Sequence, residues 1–316
     1  MHTIFIDGRE GTTGLQIQER LSQRTDLRLL SISEEGRKNP EVKKQVFNEA
    51  DLVILCLPDE ASREAVKLID SKKTKVIDTS TAFRTDKEWT YGLPELNSGQ
   101  REAIRQSQKV ANPGCHATGF IMALYPLIQE QIVPPDYPVV AQSLTGYSGG
   151  GKKLIGVYEP ECGETGYLRG PRFYALSLKH KHLPEMQQVT GLNFPPLFTP
   201  VVGHFYQGMV VSIPLVTRLL PKKISAREVH ETLVRYYRGE PFVRVIPFES
   251  GFFLDNGFLS PVECNQTDRI DLFVFGDDQQ ILLAARLDNL GKGASGAAVQ
   301  NMNIMLGVEE GLSLKP

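Results

Sequence analysis

Thr3-Ile4-Phe5-Ile6-Asp7-Gly8-Arg9-Glu10-Gly11-Thr12-Thr13-Gly14-Leu15 stands at the head of the chain. Residues 3–7 read as a short apolar strand, and from Leu15 to Leu21 the apolar residues recur at helical spacing. A strand, a glycine-rich turn and a helix form the context of a dinucleotide site. The glycines let backbone N–H groups approach a pyrophosphate, and the helix N-terminus faces its charge. The spacing is GxxGxxG rather than GxGxxG, and a glycine-rich turn without a ligand is the competing reading. Gly8, Gly11, Thr12, Thr13 and Gly14 are thus the first candidate cofactor contacts.

The next segments repeat the pattern. Residues 27–32 read as a second strand ending in Ser31-Ile32-Ser33, with Arg37-Lys38 shortly after. An acidic residue at that end would bond a ribose 2′-hydroxyl; hydroxyls and cations suit a 2′-phosphate, so Ser33, Arg37 and Lys38 point to NADP over NAD. Residues 51–57 are nearly continuous in apolar side chains, as in a strand buried on both faces, with Cys56 in its core. Pro58 ends this strand and joins the candidate cofactor contacts; residues 60–69 read as an amphipathic helix. Residues 75–78 form the next strand and run into the polar loop 79–84, at the edge where open α/β sheets bind ligands. Repeated β-α units predict a doubly wound parallel sheet. Residues 91–97 are turn-rich and fit neither period.

Asn112-Pro113-Gly114-Cys115-His116-Ala117-Thr118 follows the strand end 109–111 and precedes an apolar helix, 117–128. Pro113 and Gly114 turn the chain, so Cys115 falls at the first turn of a helix, where free N–H groups and the dipole favour negative charge. A thiol there can fall from about 8.5 toward neutrality and act as a nucleophile. The competing reading is a buried, inert cysteine.

Beyond Pro134-Pro135 strands dominate: 139–144, 205–214, 269–275 and 280–287, the last two joined by a hairpin turn at 276–279. One helix, 225–238, opens on a Ser225/Glu228 capping box. This half reads as α+β on a mostly antiparallel sheet, able to supply a subunit interface. Ser148-Gly149-Gly150-Gly151-Lys152-Lys153 reads as a flexible N–H-rich loop, with Ser148 and Gly149 as cofactor contacts. Lys179-His180-Lys181-His182-Leu183-Pro184-Glu185 holds His180 and His182 two apart, on one face if extended. Histidine shuttles protons near neutral pH, and Glu185 could orient one of the pair. His116 and His204 are weaker candidate bases because each stands alone. The small-residue stretch from Asp288 to Asn303 leads into a last helix expected to return to the first domain; Asn289 is a further candidate cofactor contact.

Composition closes off several functions. The 316 residues carry a net charge of −2, with no long run of one sign, which speaks against a nucleic-acid track or membrane surface. No segment has the roughly 18 apolar residues of a membrane span. Cys56, Cys115, Cys162 and Cys264 are far apart, without metal-ligand spacing or a disulfide framework. No metal is expected, and a reducing, cytoplasmic location fits.

Taken together, Asn112-Pro113-Gly114-Cys115 with Thr118, the run Tyr91-Gly92-Leu93-Pro94-Glu95-Leu96, the run 179–185 and the run Asp288-Asn289-Leu290-Gly291-Lys292-Gly293-Ala294-Ser295-Gly296 resemble the N-acetyl-gamma-glutamyl-phosphate reductase family, in its shorter second type. The motifs lie in order along residues 8–303. The one departure is His116, where an aromatic residue, often Tyr, is expected. The resemblance implies a Rossmann-type NADP-binding domain over 1–114 and 290–316, and a catalytic and oligomerisation domain over 115–289. It also implies NADP(H), arginine biosynthesis, a homodimer or homotetramer, and Cys115 as nucleophile. On this reading Cys115 displaces phosphate from N-acetyl-glutamyl 5-phosphate, the thioester is reduced, and His182, with His180 close behind, moves the proton. Ser80, Arg84 and Asn112 are candidate substrate contacts, Arg84 because a guanidinium pairs bidentately with an anion. The rivals are the same chemistry on aspartyl phosphate or a carrier-bound aminoadipyl group, and a non-catalytic NADP-binding redox sensor.

Overall fold

The structure, a computed structural model, describes residues 1–33, 35–36, 39–159 and 166–316. The chain divides into two compact units, Met1–Gly114 with Ala294–Leu314, and Cys115–Gly293 with Lys315–Pro316.

In the first unit, β1 (His2–Asp7), α1 (Thr12–Ser22), β2 (Leu27–Leu30), α2 (Pro40–Glu49), β3 (Leu52–Leu55), α3 (Asp59–Val66) and β4 (Lys75–Asp78) alternate as read from the sequence. After them come β5 (Thr90–Tyr91), α4 (Gln100–Gln106) and β6 (Lys109–Ala111). The six strands lie in the order β2-β1-β3-β4-β6-β5, every neighbouring pair parallel. Apolar side chains fill both faces of this sheet. Ile4, Ile6, Leu52, Ile54 and Ile77 pack with Ile17 and Leu21 of α1 and with Ala298, Val299 and Met302 of the chain's last helix, Gly296–Leu306. Phe5, Val53, Leu55 and Val76 pack on the other side with Phe47 of α2 and Ala65 of α3. Two buried faces explain why the strands read as unbroken apolar runs. The stretch 91–97, which fits no period, begins in an edge strand; Gly92 accepts from Asn301 Nδ2 at 2.8 Å and donates to the Ala111 carbonyl.

The second unit begins with α5 (Cys115–Gln129), β7 (Val140–Gly146), α6 (Gly151–Tyr158), β8 (Arg172–Phe173), α7 (Leu183–Thr190), β9 (Leu197–Gly203) and β10 (Met209–Val216). It continues with α8 (Ala226–Tyr236), β11 (Val243–Val245), β12 (Ile270–Gly276) and β13 (Gln280–Leu287). Its sheet runs β11-β12-β13-β10-β7-β9-β8. The central pairs β12/β13, β13/β10 and β10/β7 and the edge pair β9/β8 are antiparallel, while β11/β12 and β7/β9 are parallel. α5 lies on this sheet: a Cβ at Gly119 would stand 2.7 Å from Val211 Cγ2 of β10, so only glycine lets the helix approach so closely.

Two expectations need correction here. The strand expected at 205–214 starts later, at Met209, as β10, because residues 204–208 form a turn; the strand before that turn, β9, is not among those expected. Gly208 turns the chain with φ +108, where a Cβ would meet the Pro261 carbonyl at 2.5 Å; the prolines at 195 and 196 hide β9 in the sequence pattern. The loop expected at 148–153 is a short 3-10 turn, Tyr147–Gly150, running into α6. Among the described residues no helix is long and apolar enough to cross a membrane, and no cluster of His, Cys, Asp or Glu is arranged to hold a metal ion.

Candidate active site

The glycine turn of the first unit is shaped by two of its three glycines. Gly8 has φ +81, and a Cβ there would lie 2.3 Å from the Cys56 carbonyl oxygen; a Cβ on Gly14 would lie 2.5 Å from the Gly8 carbonyl. Both glycines are demanded by the protein's own packing. Gly11 differs. It caps α1 with ordinary extended angles, φ −73 and ψ 161, and a Cβ there would meet nothing nearer than 3.4 Å. The fold could carry a side chain at Gly11, so its glycine leaves backbone N–H groups open to a ligand. Thr12 Oγ1, in the first turn of α1, is buried with no hydrogen-bond partner, and a buried hydroxyl of that kind calls for a ligand. A cavity of about 110 Å³ beside the turn is lined by Phe5, Ile6, Asp7, Gly8, Arg9, Glu10 and Ile32. These features suit a dinucleotide: phosphates at the α1 N-terminus and a nucleoside along the ends of β1 and β2. Thr13 stands in the first turn of α1. Pro58 caps α3 at the end of β3, and Ser33 is exposed, its Oγ accepting from Gly36 N at 3.2 Å. Arg37 and Lys38, which carry the expectation of NADP over NAD, lie outside the described residues.

The three candidate substrate contacts of this unit are engaged by their own surroundings. Ser80 Oγ donates to Asp78 Oδ2 at 2.6 Å; burial raises the Asp78 carboxyl, and this hydroxyl and the Arg84 charge work against that rise. Arg84 Nε donates to the Asn112 carbonyl at 2.9 Å and a terminal nitrogen to the Thr79 carbonyl at 3.0 Å. Asn112 is buried, donates to the Ala294 carbonyl at 3.1 Å and accepts from Asn301 Nδ2 at 3.1 Å. Arg84 and Asn112 thus brace the turn Asn112-Pro113-Gly114 that delivers the chain to Cys115.

In the second unit, Cys115 is the first residue of α5. Two other described cysteines make poor nucleophiles: burial pushes the thiols of Cys56 and Cys264 up to about 12. Gly293 crowds Cys115, for a Cβ on Gly293 would stand 2.8 Å from Cys115 Cβ.

Around the start of α5 three histidines meet. The His116 ring centroid lies 5.4 Å from both His180 and His182, and those two rings meet edge to face at 4.9 Å. The reason given from sequence for the pairing of His180 and His182, an extended segment, is corrected: His182 has helical backbone angles and caps α7, and its N–H donates to His180 Nδ1 at 3.2 Å. His116 is also corrected, since it does not stand alone. Its Nδ1 is 2.8 Å from Ser143 Oγ of β7 and its Nε2 is 2.8 Å from the Tyr174 hydroxyl. Burial, then the charges of His180 and Lys181, push the His116 imidazole down to about 3; burial and then Lys181 push His180 down to about 4. Both rings are neutral at pH 7. Glu185 is buried in the first turn of α7, two residues beyond the Leu183 that opens it.

Ser148 and Asn289, 141 residues apart, are joined: Asn289 Nδ2 donates to Ser148 Oγ at 3.0 Å, and Asn289 Oδ1 accepts from Gly208 N at 2.7 Å. Gly149 lies against the same amide, with room for a Cβ at 3.5 Å. His204, the other histidine weighed from sequence, sits apart, its Nδ1 3.1 Å from the Leu168 carbonyl oxygen.

Neither Ser143 nor Tyr174 stands out in the sequence as a candidate site residue. A signal for Ser143 exists: alternation along β7 turns Ala141, Ser143 and Thr145 inward, and a buried hydroxyl in such a register needs a partner. Tyr174 has none, because it lies beyond a two-residue strand.

A parallel sheet with a glycine turn, and a second unit with a helix-terminal cysteine next to a histidine of a three-histidine cluster, define the semialdehyde dehydrogenase class. A family model described as the semialdehyde dehydrogenase NAD binding domain matches residues 4–107, and one described as its dimerisation domain matches residues 115–289. N-acetyl-gamma-glutamyl-phosphate reductase 2 of Nostoc sp. is 50% identical over 319 aligned positions, covering 98% of each chain. The N-acetyl-gamma-glutamyl-phosphate reductase of Brucella ovis is 48% identical, over 96% of this chain and 98% of its own. Aspartate semialdehyde dehydrogenase from Francisella tularensis superposes with a TM-score of 0.73 at 15% identity, over 97% of this chain and all of its own. The Vibrio cholerae aspartate semialdehyde dehydrogenase II complexed with ASA gives 0.70 at 18%, covering 97% and 98%; these two share the fold. The chain belongs to the N-acetyl-gamma-glutamyl-phosphate reductase family.

Proposed function

We propose that the protein reduces N-acetyl-L-glutamyl 5-phosphate to N-acetyl-L-glutamate 5-semialdehyde with NADPH, releasing phosphate, in arginine biosynthesis. The observation that carries this reading is the identity of about half of all positions, over nearly the whole chain, with reductases of that name. In this reading Gly8, Gly11, Thr12, Thr13, Gly14, Ser33 and Pro58 are the NADP(H) contacts of the first unit, and Ser148, Gly149 and Asn289 are candidate cofactor contacts on the second.

Cys115 thiolate attacks the acyl phosphate carbon; the C–O bond to phosphate breaks and a thioester forms. NADPH supplies the hydride that reduces the thioester. The resulting thiohemiacetal oxygen gains and then gives up a proton at His182, the C–S bond breaks, and the aldehyde leaves with Cys115 again a thiolate. His180 orients His182 through the 4.9 Å ring contact. Backbone N–H groups at the start of α5 stabilise the oxyanion. Arg84 and Asn112 act by fixing the turn before Cys115. The homodimer or homotetramer forms through residues 115–289, and the enzyme works in the cytoplasm.

The reaction is tested in reverse. Protein, N-acetylglutamate semialdehyde, phosphate and NADP are mixed, and NADPH absorbance is followed. Phosphate-dependent NADPH formation, lost in Cys115→Ser and absent with aspartate semialdehyde, supports substrate, cofactor and nucleophile together. Tight NADPH binding without turnover rejects the reading for this substrate.

A further inference from the structure

We propose that Tyr174 is a further catalytic residue of this reaction, presented by a hydrogen-bond chain Ser143–His116–Tyr174 in which His116 and Ser143 are positioning residues. This rests on the function proposed above.

The chain is defined by geometry. Ser143 faces inward on β7, fully buried; His116 follows Cys115 in α5; Tyr174 follows β8. Three elements distant in sequence meet at one imidazole, with 2.8 Å at each ring nitrogen. The ring is walled by Phe198, His180 and His182 at centroid distances of 5.3 to 5.4 Å. The groups facing it are therefore His180, His182, Tyr174, Ser143 and the nearby Lys181. A histidine with both nitrogens occupied by hydroxyls, inside a wall of aromatic rings, is held in one orientation and is not available as the acid or base of the reaction.

A neutral imidazole has one N–H and one lone pair, so one hydroxyl donates to it and the other accepts from it. Ser143 is the buried end of the chain. When Ser143 donates to Nδ1, Nε2–H donates to the Tyr174 oxygen, and the phenol proton is left to donate onward. Each bond polarises the next, so the phenol becomes a stronger donor than it would be alone. The Tyr174 hydroxyl is 2.8 Å from the imidazole of the residue that follows Cys115, and burial, then the charge of Cys115, raise its phenol. It therefore remains a neutral donor at working pH. A neutral donor beside the nucleophile suits the acyl oxygen, which gains negative charge when Cys115 attacks and again when the thioester is reduced. No proton need leave Tyr174; the hydrogen bond strengthens as that charge develops.

Three measurements test this. Tyr174→Phe removes only the hydroxyl; kcat is expected to fall about 100-fold, with KM changed less than about threefold. Iodoacetamide labelling of Cys115 is expected to stay within about threefold of the parent, which a collapsed site would not allow. Ser143→Ala is expected to cost about five- to tenfold in kcat in the parent and nothing further in Tyr174→Phe, because it acts only through the phenol. Full kcat in Tyr174→Phe, or an equal Ser143→Ala cost in both backgrounds, overturns the proposal. A third readout does not need turnover: nitrogen NMR of His116 at pH 7 is expected to show Nε2 protonated and Nδ1 bare, with Tyr174→Phe moving the Nε2 signal. A protonated Nδ1 with a bare Nε2 overturns the direction of the chain, even if the substrate proves to be another acyl phosphate.

Discussion

Gly293 and Cys115 approach so closely that a single added carbon on Gly293 would lie 2.8 Å from Cys115 Cβ. The position of Cys115 is therefore set from two sides, by the start of α5 and by the backbone arriving from β13. Gly293→Ala is expected to push Cys115 out of place at a stability cost of about 1–3 kcal/mol. A shift of this kind can cost about 100-fold in rate. Steady-state turnover and the melting temperature, measured on the same preparation, check this; unchanged turnover rules out the constraint.

The two kinds of glycine in the cofactor turn separate stability from binding. Gly8→Ala forces a Cβ to 2.3 Å from the Cys56 carbonyl at a positive φ, so urea unfolding is expected to show a loss of several kcal/mol. Gly11→Ala meets nothing in the protein closer than 3.4 Å and should leave stability within about 0.5 kcal/mol. Its NADPH affinity, by fluorescence titration, should nevertheless fall at least tenfold. Equal affinity in Gly11→Ala would mean that the ligand does not approach the backbone there.

Arg84 divides along the same line. Its guanidinium donates to the carbonyls of Thr79 and Asn112, so Arg84→Met strands two acceptors and is expected to cost about 2 kcal/mol in denaturant unfolding. A raised KM with unchanged stability would instead make Arg84 a direct anion contact.

Acid should loosen the histidine cluster. His116 is held down at about 3 and His180 at about 4, against 6.5 for the free side chain. Below pH 6.5 the unfolded chain binds protons that the folded one refuses. The stability these groups contribute is complete above that pH and is lost as pH falls toward 3–4. The slope is up to about 1.4 kcal/mol per pH unit for each proton. Melting temperatures between pH 6.5 and 4.5 should fall less steeply in His116→Phe than in the parent. Parallel slopes would show that His116 does not titrate in this way.

Local sequence carried a great deal of this molecule. The strand-turn-helix at 3–21, the unbroken apolar runs and the capping box at Ser225 and Glu228 are short-range features, and each became the element expected. A parallel sheet with two buried faces leaves the same mark in every strand. Cys115 at a helix start followed from Pro113-Gly114 alone. The second unit was harder to read, because β8 is two residues long and β9 is masked by Pro195-Pro196.

By itself, then, the sequence determined the class of fold, the glycine turn, the place of Cys115 at a helix start and the family. Only the tertiary structure decided which polar groups share a bond. His116 looks isolated along the chain, yet α5, β7 and the end of β8 bring Ser143 and Tyr174 to its two nitrogens. Ser148 meets Asn289 across 141 residues in the same way. Periodicity reports which face a side chain takes, since it follows from backbone geometry within one element. It carries no record of what stands on the opposing element, because that is fixed by the packing of strands and helices far apart in the chain.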